Sequence, residues 1–310
     1  MRGNSTQKSR VFVGPDAIPE VVEAVEAGGS TLAGSLSNAD AVVWFGRDPA
    51  ELDAVLPQSI RWLQVPDAGV DKWIDAGFLD RGFVVTSAAG VYGGQVAEHA
   101  MALVLACVHQ IATYARAESW DPQAAHIGSL GSSQVTVIGA GGIGTALIAL
   151  LRPFGCSIVA VTRSGRMVPG ADLSVGSDGL DTALASADIV VLAAPSTAQT
   201  LGLINARTLD LMKSTAALLN VARGNLIDSE ALLAALDRGR LSAVALDVTD
   251  PEPLPDGHPF FHHPKILITP HVANPAALKR ASFAQHVRDN CQRFNSGETL
   301  SGVVDSDRGY

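Results

Sequence analysis

Three ionisable side chains in the second half of the chain each follow an apolar segment. Arg223 follows AALLNVA, Glu252 lies in DPEPLP after SAVALDV, and His271 follows KILITP. Because the carboxyl ends of parallel strands face the ligand crevice of a doubly wound sheet, we expect the three side chains to converge there. Hydride transfer to a keto acid needs a cation that binds the carboxylate and a proton donor for the alkoxide that forms at C2. Arginine fits the first role, and a histidine supported by a carboxylate fits the second.

Each of these residues also has a simpler interpretation. Arg223 would cap the helical segment that follows it, Glu252 would be one charge on an exposed proline-rich loop, and His271 would be a buried core histidine. Three residues in the required roles at successive strand ends favour the catalytic interpretation. The adjacent pair His262 and His263 is different, because neighbouring side chains on an extended segment point in opposite directions, so we expect no metal site.

A glycine-rich turn precedes this part of the chain. In VTVIGAGGIG, Gly139, Gly141 and Gly144 form G-x-G-x-x-G between an apolar strand and the helical segment TALIALLRPF. The first glycine permits a tight turn, the second lets the backbone approach a pyrophosphate, and the third lets the helix pack closely on the strand. A turn in which the glycines serve packing alone is the alternative. The continuing alternation of strands and helices favours a dinucleotide site.

The next strand ends in VTRSGR, where a dinucleotide-binding chain usually carries an acidic residue for the ribose 2′-hydroxyl. Here Arg163, Ser164 and Arg166 form a small cationic group that suits a 2′-phosphate. We therefore expect NADP(H) in preference to NAD(H). Two solvated loop arginines are the alternative interpretation.

The elements that must position these residues alternate along the whole chain. Apolar runs in the first third, RVFVG, AVVWF, IRWLQV and FVVTS, alternate with helical patterns and predict a small parallel sheet. A long helix is predicted over 96–118, apolar nearly all round in its first half. After GSLGSS, six further apolar runs predict a second, larger doubly wound sheet, and 276–294 reads as a final helix. The fold class is therefore α/β, with two doubly wound parallel-sheet domains.

Composition limits the function further. The chain has 310 residues, of which 47% are hydrophobic, and a net charge of -9 with no basic tract, so we expect no binding to nucleic acid or to a membrane surface. No apolar run reaches the roughly 20 residues of a membrane span, and we expect a cytoplasmic protein. Cys107, Cys156 and Cys291 lie far apart and are expected to be reduced core thiols.

Taken together, the ordered motifs resemble the D-isomer-specific 2-hydroxyacid dehydrogenase family, and the resemblance runs through nearly all of the chain. The motifs are DAGVD at 67–71, VAEHAMALVLA at 96–106, VIGAGGIG, PSTAQT at 195–200, NVARGNLID, DPEPLP and TPHVA. The resemblance implies a flavodoxin-like substrate domain over 1–97, completed by 276–310, and a Rossmann cofactor domain over 98–275, with a cleft between them. It also implies a homodimer formed through the long helix near 96–118.

The resemblance assigns roles to individual residues. Arg223 would bind and polarise the substrate, Glu252 would support His271, and His271 would be the acid/base. Asp247 would contact the nicotinamide carboxamide. The expected substrate contacts are Ala68, Gly69, Val70, Arg223 and His271, whereas Asp67 should face solvent. The expected cofactor contacts are Gly139, Gly141, Gly142, Ile143, Gly144, Arg163, Ser164, Arg166, Ala194, Pro195, Val221, Ala222 and Asp247.

Within that family, IRWLQVPDAGVD and the 114–120 region look most similar to the glyoxylate/hydroxypyruvate reductase branch. The resemblance therefore implies an NADPH-preferring reductase of small 2-keto acids. The same family resemblance includes non-catalytic corepressors that sense dinucleotides, and such a binding protein is the alternative function. The presence of Arg223, Glu252 and His271 together favours the enzyme.

Overall fold

The computed structural model describes residues 8–121 and 127–305, which divide into two compact units. The first unit extends to Tyr92 and resumes at Pro275, and the second spans Gly93–Asn274. The boundary expected at 97/98 therefore falls within the first helix of the second unit.

The first unit is built on a parallel sheet of the order β2-β1-β3-β4-β5. This is the flavodoxin-like order, as expected from the sequence. The central strand β3 is buried throughout, and the core around it includes Leu63, Trp73 and Phe78. The elements are β1 (Arg10–Gly14), α1 (Pro19–Ala27), β2 (Thr31–Leu32), β3 (Ala41–Trp44), α2 (Pro49–Asp53), β4 (Trp62–Gln64), α3 (Asp71–Asp75) and β5 (Val84–Thr86).

The second unit is a larger parallel sheet with helices around it. Its elements are α4 (Gly93–Val108), α5 (Ile111–Ala115), β6 (Gln134–Ile138), α6 (Gly142–Leu151), β7 (Ser157–Val161), β8 (Leu173–Val175), α7 (Leu180–Ser186), β9 (Ile189–Leu192), α8 (Ala206–Leu211), β10 (Ala217–Asn220), α9 (Ser229–Asp237), β11 (Ala243–Leu246), α10 (Pro259–His262) and β12 (Ile266–Ile268). The strand order is β12-β11-β10-β9-β6-β7-β8. The order reverses at β6, as in a Rossmann sheet, and α4 packs along α6.

Two details of the expected secondary structure were wrong. The long helix does not run over 96–118, because α4 ends at Val108 and α5 begins at Ile111. Gln110 between them has a left-handed φ of 52°, and its side-chain amide donates to the carbonyl of Cys107, which closes the end of α4. Each sheet also has one more edge strand than expected, the two-residue β2 in the first unit and the three-residue β8 in the second.

The chain returns to the first unit in α11 (Ala276–Ser296), which the sequence placed at 276–294. This helix packs against α1 and carries buried polar side chains toward the sheet. The Asn290 side-chain amide donates to Gln64 Oε1 at 3.0 Å, and its oxygen accepts from the backbone N–H of Ser301 at 2.8 Å. These bonds fix the helix on the unit. No helix among the described residues is long and apolar enough to cross a membrane.

Candidate active site

The glycine turn joins β6 to α6, and the space around its three glycines differs. Gly139 has a φ of 94°, and a Cβ there would lie 2.5 Å from the backbone nitrogen of Ala194. At Gly144 a Cβ would lie 2.0 Å from the carbonyl oxygen of Gly139. At Gly141, by contrast, a Cβ would meet nothing within 4 Å. Gly139 and Gly144 are thus required by the fold, whereas the space at Gly141 is open.

The amino terminus of α6 completes this turn. Gly142 and Ile143 form its first residues, and no side chain caps the helix. Gly142 is exposed and Ile143 half-buried. Backbone N–H groups at an uncapped helix start attract an anionic group, so the turn suits the pyrophosphate of a dinucleotide.

The loop after β7 holds its two arginines differently. The Arg166 guanidinium donates to the carbonyl oxygen of Ala140 at 2.6 Å, which ties this loop to the glycine turn. Arg163 is exposed, and no hydrogen bond or ion pair holds its guanidinium among the residues that the structure describes. Ser164 is exposed and forms an isolated bridge with Gly176. Arg163 and Ser164 therefore remain available to a ligand, while Arg166 positions the loop.

The strands β10, β11 and β12 end in register. Asn220 pairs with Leu246, and Leu246 pairs with Ile268, so the loops that follow leave the same edge of the sheet. Arg223, Glu252 and His271 all lie in these three loops. The structure thus brings the predicted catalytic residues to one edge.

Glu252 and His271 are in direct contact. Glu252 Oε1 lies 2.6 Å from His271 Nδ1, with both side chains partly exposed. Because a carboxylate can only accept a hydrogen bond, Nδ1 carries the proton. The pair therefore fixes the imidazole orientation and leaves Nε2 as the nitrogen that is free to exchange a proton with a ligand.

Arg223 is positioned by a residue that sequence reasoning missed. The side chain of the fully buried Asn220 donates to the carbonyl of Arg223 at 2.8 Å and accepts from the backbone N–H of Ala222 at 3.0 Å. A Cβ at Gly224 would lie 1.9 Å from the carbonyl oxygen of Thr249, so the Arg223 loop lies directly against the loop that leads to Glu252. A buried polar residue at a strand end was the available sequence signal.

Asp247, the expected carboxamide ligand, is buried, and its carboxylate accepts several hydrogen bonds. Its Oδ1 accepts from Thr269 Oγ1 at 2.6 Å and from the backbone N–H of Val272 at 3.0 Å, and its Oδ2 accepts from the backbone N–H of Ala273 at 3.2 Å. An ionised carboxylate oxygen has two acceptor sites, so Oδ2 keeps capacity for one more donor. Sequence reasoning did not foresee the bonds to the His271 loop.

The remaining expected cofactor residues lie in the loops after β9 and β10. Ala194 is buried against Gly139, and Pro195 beside it is exposed. Val221 and Ala222 are buried immediately after β10. Both loops leave the same sheet edge as the glycine turn, because β9 lies between β6 and β10.

The expected substrate loop belongs to the first unit. Ala68 and Gly69 are half-buried and Val70 is buried, at the start of α3. Asp67 beside them was expected to face solvent; its side chain is 41% exposed, and it is paired with two ammonium groups. Lys279 Nζ lies 3.1 Å from one carboxylate oxygen, and Lys72 Nζ lies 3.8 Å from the other. The carboxylate next to this loop is therefore neutralised.

The cysteine thiols and the adjacent histidines are further groups that could carry chemistry. Burial raises the pKa of the Cys107 thiol to about 12 and that of Cys291 to about 11, so these thiols stay protonated. Within 8–121 and 127–305 no three His, Cys, Asp or Glu side chains form a cluster that could hold a metal ion. His263 Nδ1 accepts from the backbone N–H of Lys265 at 3.2 Å, which is a local structural contact.

Comparisons with known proteins agree on one family. Residues 99–273 match the family model for the D-isomer-specific 2-hydroxyacid dehydrogenase NAD-binding domain. The glyoxylate/hydroxypyruvate reductase A of Salmonella typhi is 36% identical over 176 residues, which is 57% of this chain and 56% of that protein. The match therefore spans about half the length of this curated relative.

Solved structures match over almost the whole chain. A D-isomer-specific 2-hydroxyacid dehydrogenase from Xanthobacter autotrophicus, in complex with NADPH and MES, has a TM-score of 0.85 and 28% identity over 98% of this chain and 99% of that one. An NADPH-dependent glyoxylate/hydroxypyruvate reductase from Sinorhizobium meliloti, in complex with NADP and sulfate, has a TM-score of 0.82 and 26% identity, with 98% and 100% covered.

Proposed function

Because the chain belongs to the D-isomer-specific 2-hydroxyacid dehydrogenase family, we propose that it transfers a hydride between NADP(H) and C2 of a small 2-keto or 2-hydroxy acid. The observation that carries this proposal is the contact of His271 with Glu252, in loops that leave the same sheet edge as the loop of Arg223. This set provides the two functions that a keto acid requires beside a hydride donor.

Arg223 binds the substrate in this proposal. Its guanidinium presents several N–H donors in one plane, which suits a carboxylate and the adjacent keto oxygen. One of these donors is already used, because Nη1 donates to the carbonyl of Ala222 at 2.8 Å. That bond and the Asn220 bonds hold the arginine loop before substrate arrives.

His271 is the proton donor in the direction of reduction. As C2 gains a hydride, the keto oxygen becomes an alkoxide, and Nε2 of the imidazolium gives it a proton. The products are the 2-hydroxy acid and a neutral imidazole. Glu252 keeps the proton on Nδ1 and orients the ring, so the proton that is exchanged with the substrate is the one at Nε2.

The dinucleotide would be held at the start of α6. Gly141 leaves the space that a pyrophosphate needs, and Gly142 and Ile143 offer backbone donors. When bound, the reduced nicotinamide supplies the hydride. The adjacent loops contain Ala194, Pro195, Val221 and Ala222. Asp247 Oδ2 has an acceptor site for the carboxamide.

Preference for NADP(H) over NAD(H) is part of the proposal. The exposed Arg163 stands where an NAD-binding chain carries an acid, and Ser164 beside it can donate to a 2′-phosphate. Two structural relatives were solved with NADPH or NADP. Charge-assisted hydrogen bonds contribute about 1.5–3 kcal/mol each, so one contact would favour NADPH by roughly ten- to a hundredfold.

The substrate class follows from the relatives that are named as reductases. Two of them act on glyoxylate and hydroxypyruvate by name, so we propose a small 2-keto acid of this kind as substrate. The amides of Ala68, Gly69 and Val70 remain our proposed carboxylate contacts on the first unit. The comparisons give no support to the non-catalytic dinucleotide-sensing alternative.

We also propose a homodimer. Ile111, the first residue of α5, and Trp120, five residues after that helix, are exposed, and Trp120 is 100% accessible. A fully exposed tryptophan is costly in an isolated protomer and is common at interfaces. Light scattering coupled to size-exclusion chromatography gives the mass directly, and a monomer at all concentrations would refute the dimer.

The function is tested by initial rates of NADPH and NADH oxidation. Purified protein would be assayed near neutral pH with glyoxylate, hydroxypyruvate and phenylpyruvate, beside the His271→Ala variant. We expect NADPH-dependent turnover that His271→Ala abolishes while NADPH binding persists. Cofactor binding with no turnover on any of the three acids would refute the reductase.

A further inference from the structure

His99 lies on α4, far in sequence from the strand-end loops, yet it contacts two residues that hold the His271 loop. Its Nε2 lies 3.0 Å from Thr269 Oγ1 and 3.4 Å from Asp247 Oδ1. The imidazole is 23% exposed, and the Asp247 side chain is only 2% exposed. The contact therefore lies at the inner side of the loop.

The direction of these hydrogen bonds follows from proton counting. Thr269 has a single hydroxyl proton, and this proton goes to Asp247, because a carboxylate can only accept. The Thr269 oxygen must then accept from His99, so Nε2 of His99 is protonated. Neutral His99 satisfies this requirement as the Nε2–H tautomer. Its Nε2 proton is directed into the protein and is not available to a substrate.

Asp247 in turn fixes the backbone around His271. The N–H of His271 donates to the Asp247 carbonyl at 2.8 Å, and the next two N–H groups, of Val272 and Ala273, donate to its carboxylate. His271 has a φ of 52°, a left-handed conformation that residues other than glycine rarely adopt. Such a conformation persists only where the surroundings enforce it.

From these contacts we propose that His99 is a positioning residue for His271, acting through Thr269 and Asp247. His99 holds the Thr269 hydroxyl and the Asp247 carboxylate in the orientation that accepts from the amides of Val272 and Ala273, the two residues that follow His271. The inference rests on the proposed function, because it assigns the catalytic acid to His271. It adds a residue from outside the three catalytic loops to the same machinery.

The test compares three variants. His99→Leu removes the donor, and His99→Gln keeps a donor without a titrating ring. His109→Leu, at an exposed position just after α4, is the matched control. The readouts are amide hydrogen exchange of peptides that cover 269–273, the Kd for NADPH, and kcat and KM for glyoxylate.

We expect His99→Leu to accelerate exchange at Val272 and Ala273 and to lower kcat by about tenfold, because a displaced acid slows proton transfer. The Kd for NADPH should change less than kcat, since Asp247 provides only one of the proposed cofactor contacts. His99→Gln should restore both exchange protection and most of kcat. His109→Leu should match the wild type. Should His99→Leu fail to fold, Thr269→Val removes the same hydrogen-bond connection and should accelerate the same amides.

Several outcomes would overturn the inference. One is unchanged exchange at 271–273 in a folded His99→Leu protein. Another is altered exchange with an unchanged kcat, and a third is a loss of NADPH affinity with normal exchange, which would place the effect on the cofactor. A wild type that turns over no 2-keto acid refutes the proposed function instead, and the exchange measurement still decides whether His99 positions the loop.

Discussion

At the residue scale, two neighbours hold His271 in place, and each contacts a different part of it. Glu252 holds the ring through Nδ1, and Asp247 holds the backbone through its carbonyl and carboxylate. Ring orientation and backbone conformation are thus fixed separately. A change at one neighbour should therefore give a different kinetic signature from a change at the other.

Replacing Glu252 by Gln tests the ring-orienting contact. Glutamine keeps the size of the side chain but replaces a charge-assisted hydrogen bond to Nδ1 by a weaker neutral one. We expect kcat to fall by about tenfold because the ring is held less firmly, with little change in cofactor affinity. The measurements are kcat with glyoxylate and the Kd for NADPH, and a wild-type kcat would separate Glu252 from the proton transfer.

Arg223 is tested by a pair of variants. Arg223→Ala removes both hydrogen bonds to the substrate, and we expect kcat/KM to fall by roughly a hundredfold or more, equivalent to about 3 kcal/mol. Arg223→Lys keeps the charge but not the planar fork, and should recover only part of that loss. The measurement is the steady-state rate with glyoxylate. Near wild-type turnover of Arg223→Ala would contradict the proposed role of Arg223 in substrate binding.

Arg163 is the residue on which cofactor choice depends. Arg163→Asp should weaken NADPH binding by about ten- to a hundredfold and improve NADH binding, because the acid repels a 2′-phosphate and accepts from a 2′-hydroxyl. Arg207→Ala, on α8 of the same unit, is the control. Kd values for both cofactors would be measured by fluorescence titration. Equal losses for NADPH and NADH would contradict the assignment.

At the element scale, we expect two glycines of the turn between β6 and α6 to affect different properties. One should affect the stability of the fold, and the other the affinity for the cofactor. Gly144→Ala places a Cβ 2.0 Å from the Gly139 carbonyl, and such overpacking should lower the free energy of unfolding by about 1–3 kcal/mol. Gly141→Ala meets nothing within 4 Å and should leave that free energy unchanged while it weakens NADPH binding. Denaturant unfolding and NADPH titration of both variants test this contrast. Loss of stability in Gly141→Ala would contradict it.

The elements also show how far the sequence predicts this fold. Fully buried strands such as β9 and β11 were placed correctly, because burial on both faces leaves a continuous apolar run. The edge strands β2 and β8 were missed, since two or three partly exposed residues leave no period to detect. The break between α4 and α5 was missed because Gln110, which takes the left-handed conformation there, is neither glycine nor proline.

The sequence predicts the proposed site residues better than it predicts the residues that position them. Arg223 and His271 follow from residue type and position after a strand. Asn220 and Thr269 act through hydrogen bonds to neighbouring backbone and side-chain groups, and a linear sequence does not contain those distances. The pairing of Asp67 with Lys279, which lies more than two hundred residues later in the chain, has likewise no signal in the linear sequence.

At the scale of the whole molecule, each unit has its own parallel sheet and its own core. The second unit carries every residue to which we assign cofactor binding or proton transfer. The first unit carries the proposed carboxylate loop at 68–70. In the proposed function, this division places the chemical step in one unit and contacts that would select the substrate in the other.

Direct transfer of hydrogen from the cofactor to C2 is the central claim, and isotope transfer tests it most directly. The protein would be incubated with glyoxylate and NADPH that carries deuterium at C4 of the dihydronicotinamide, once for each C4 face, with His271→Ala in parallel. We expect glycolate with one deuterium at C2 from one labelled face only, and none from the variant. Glycolate without deuterium from either face, or no glycolate at all, would contradict the proposed reductase.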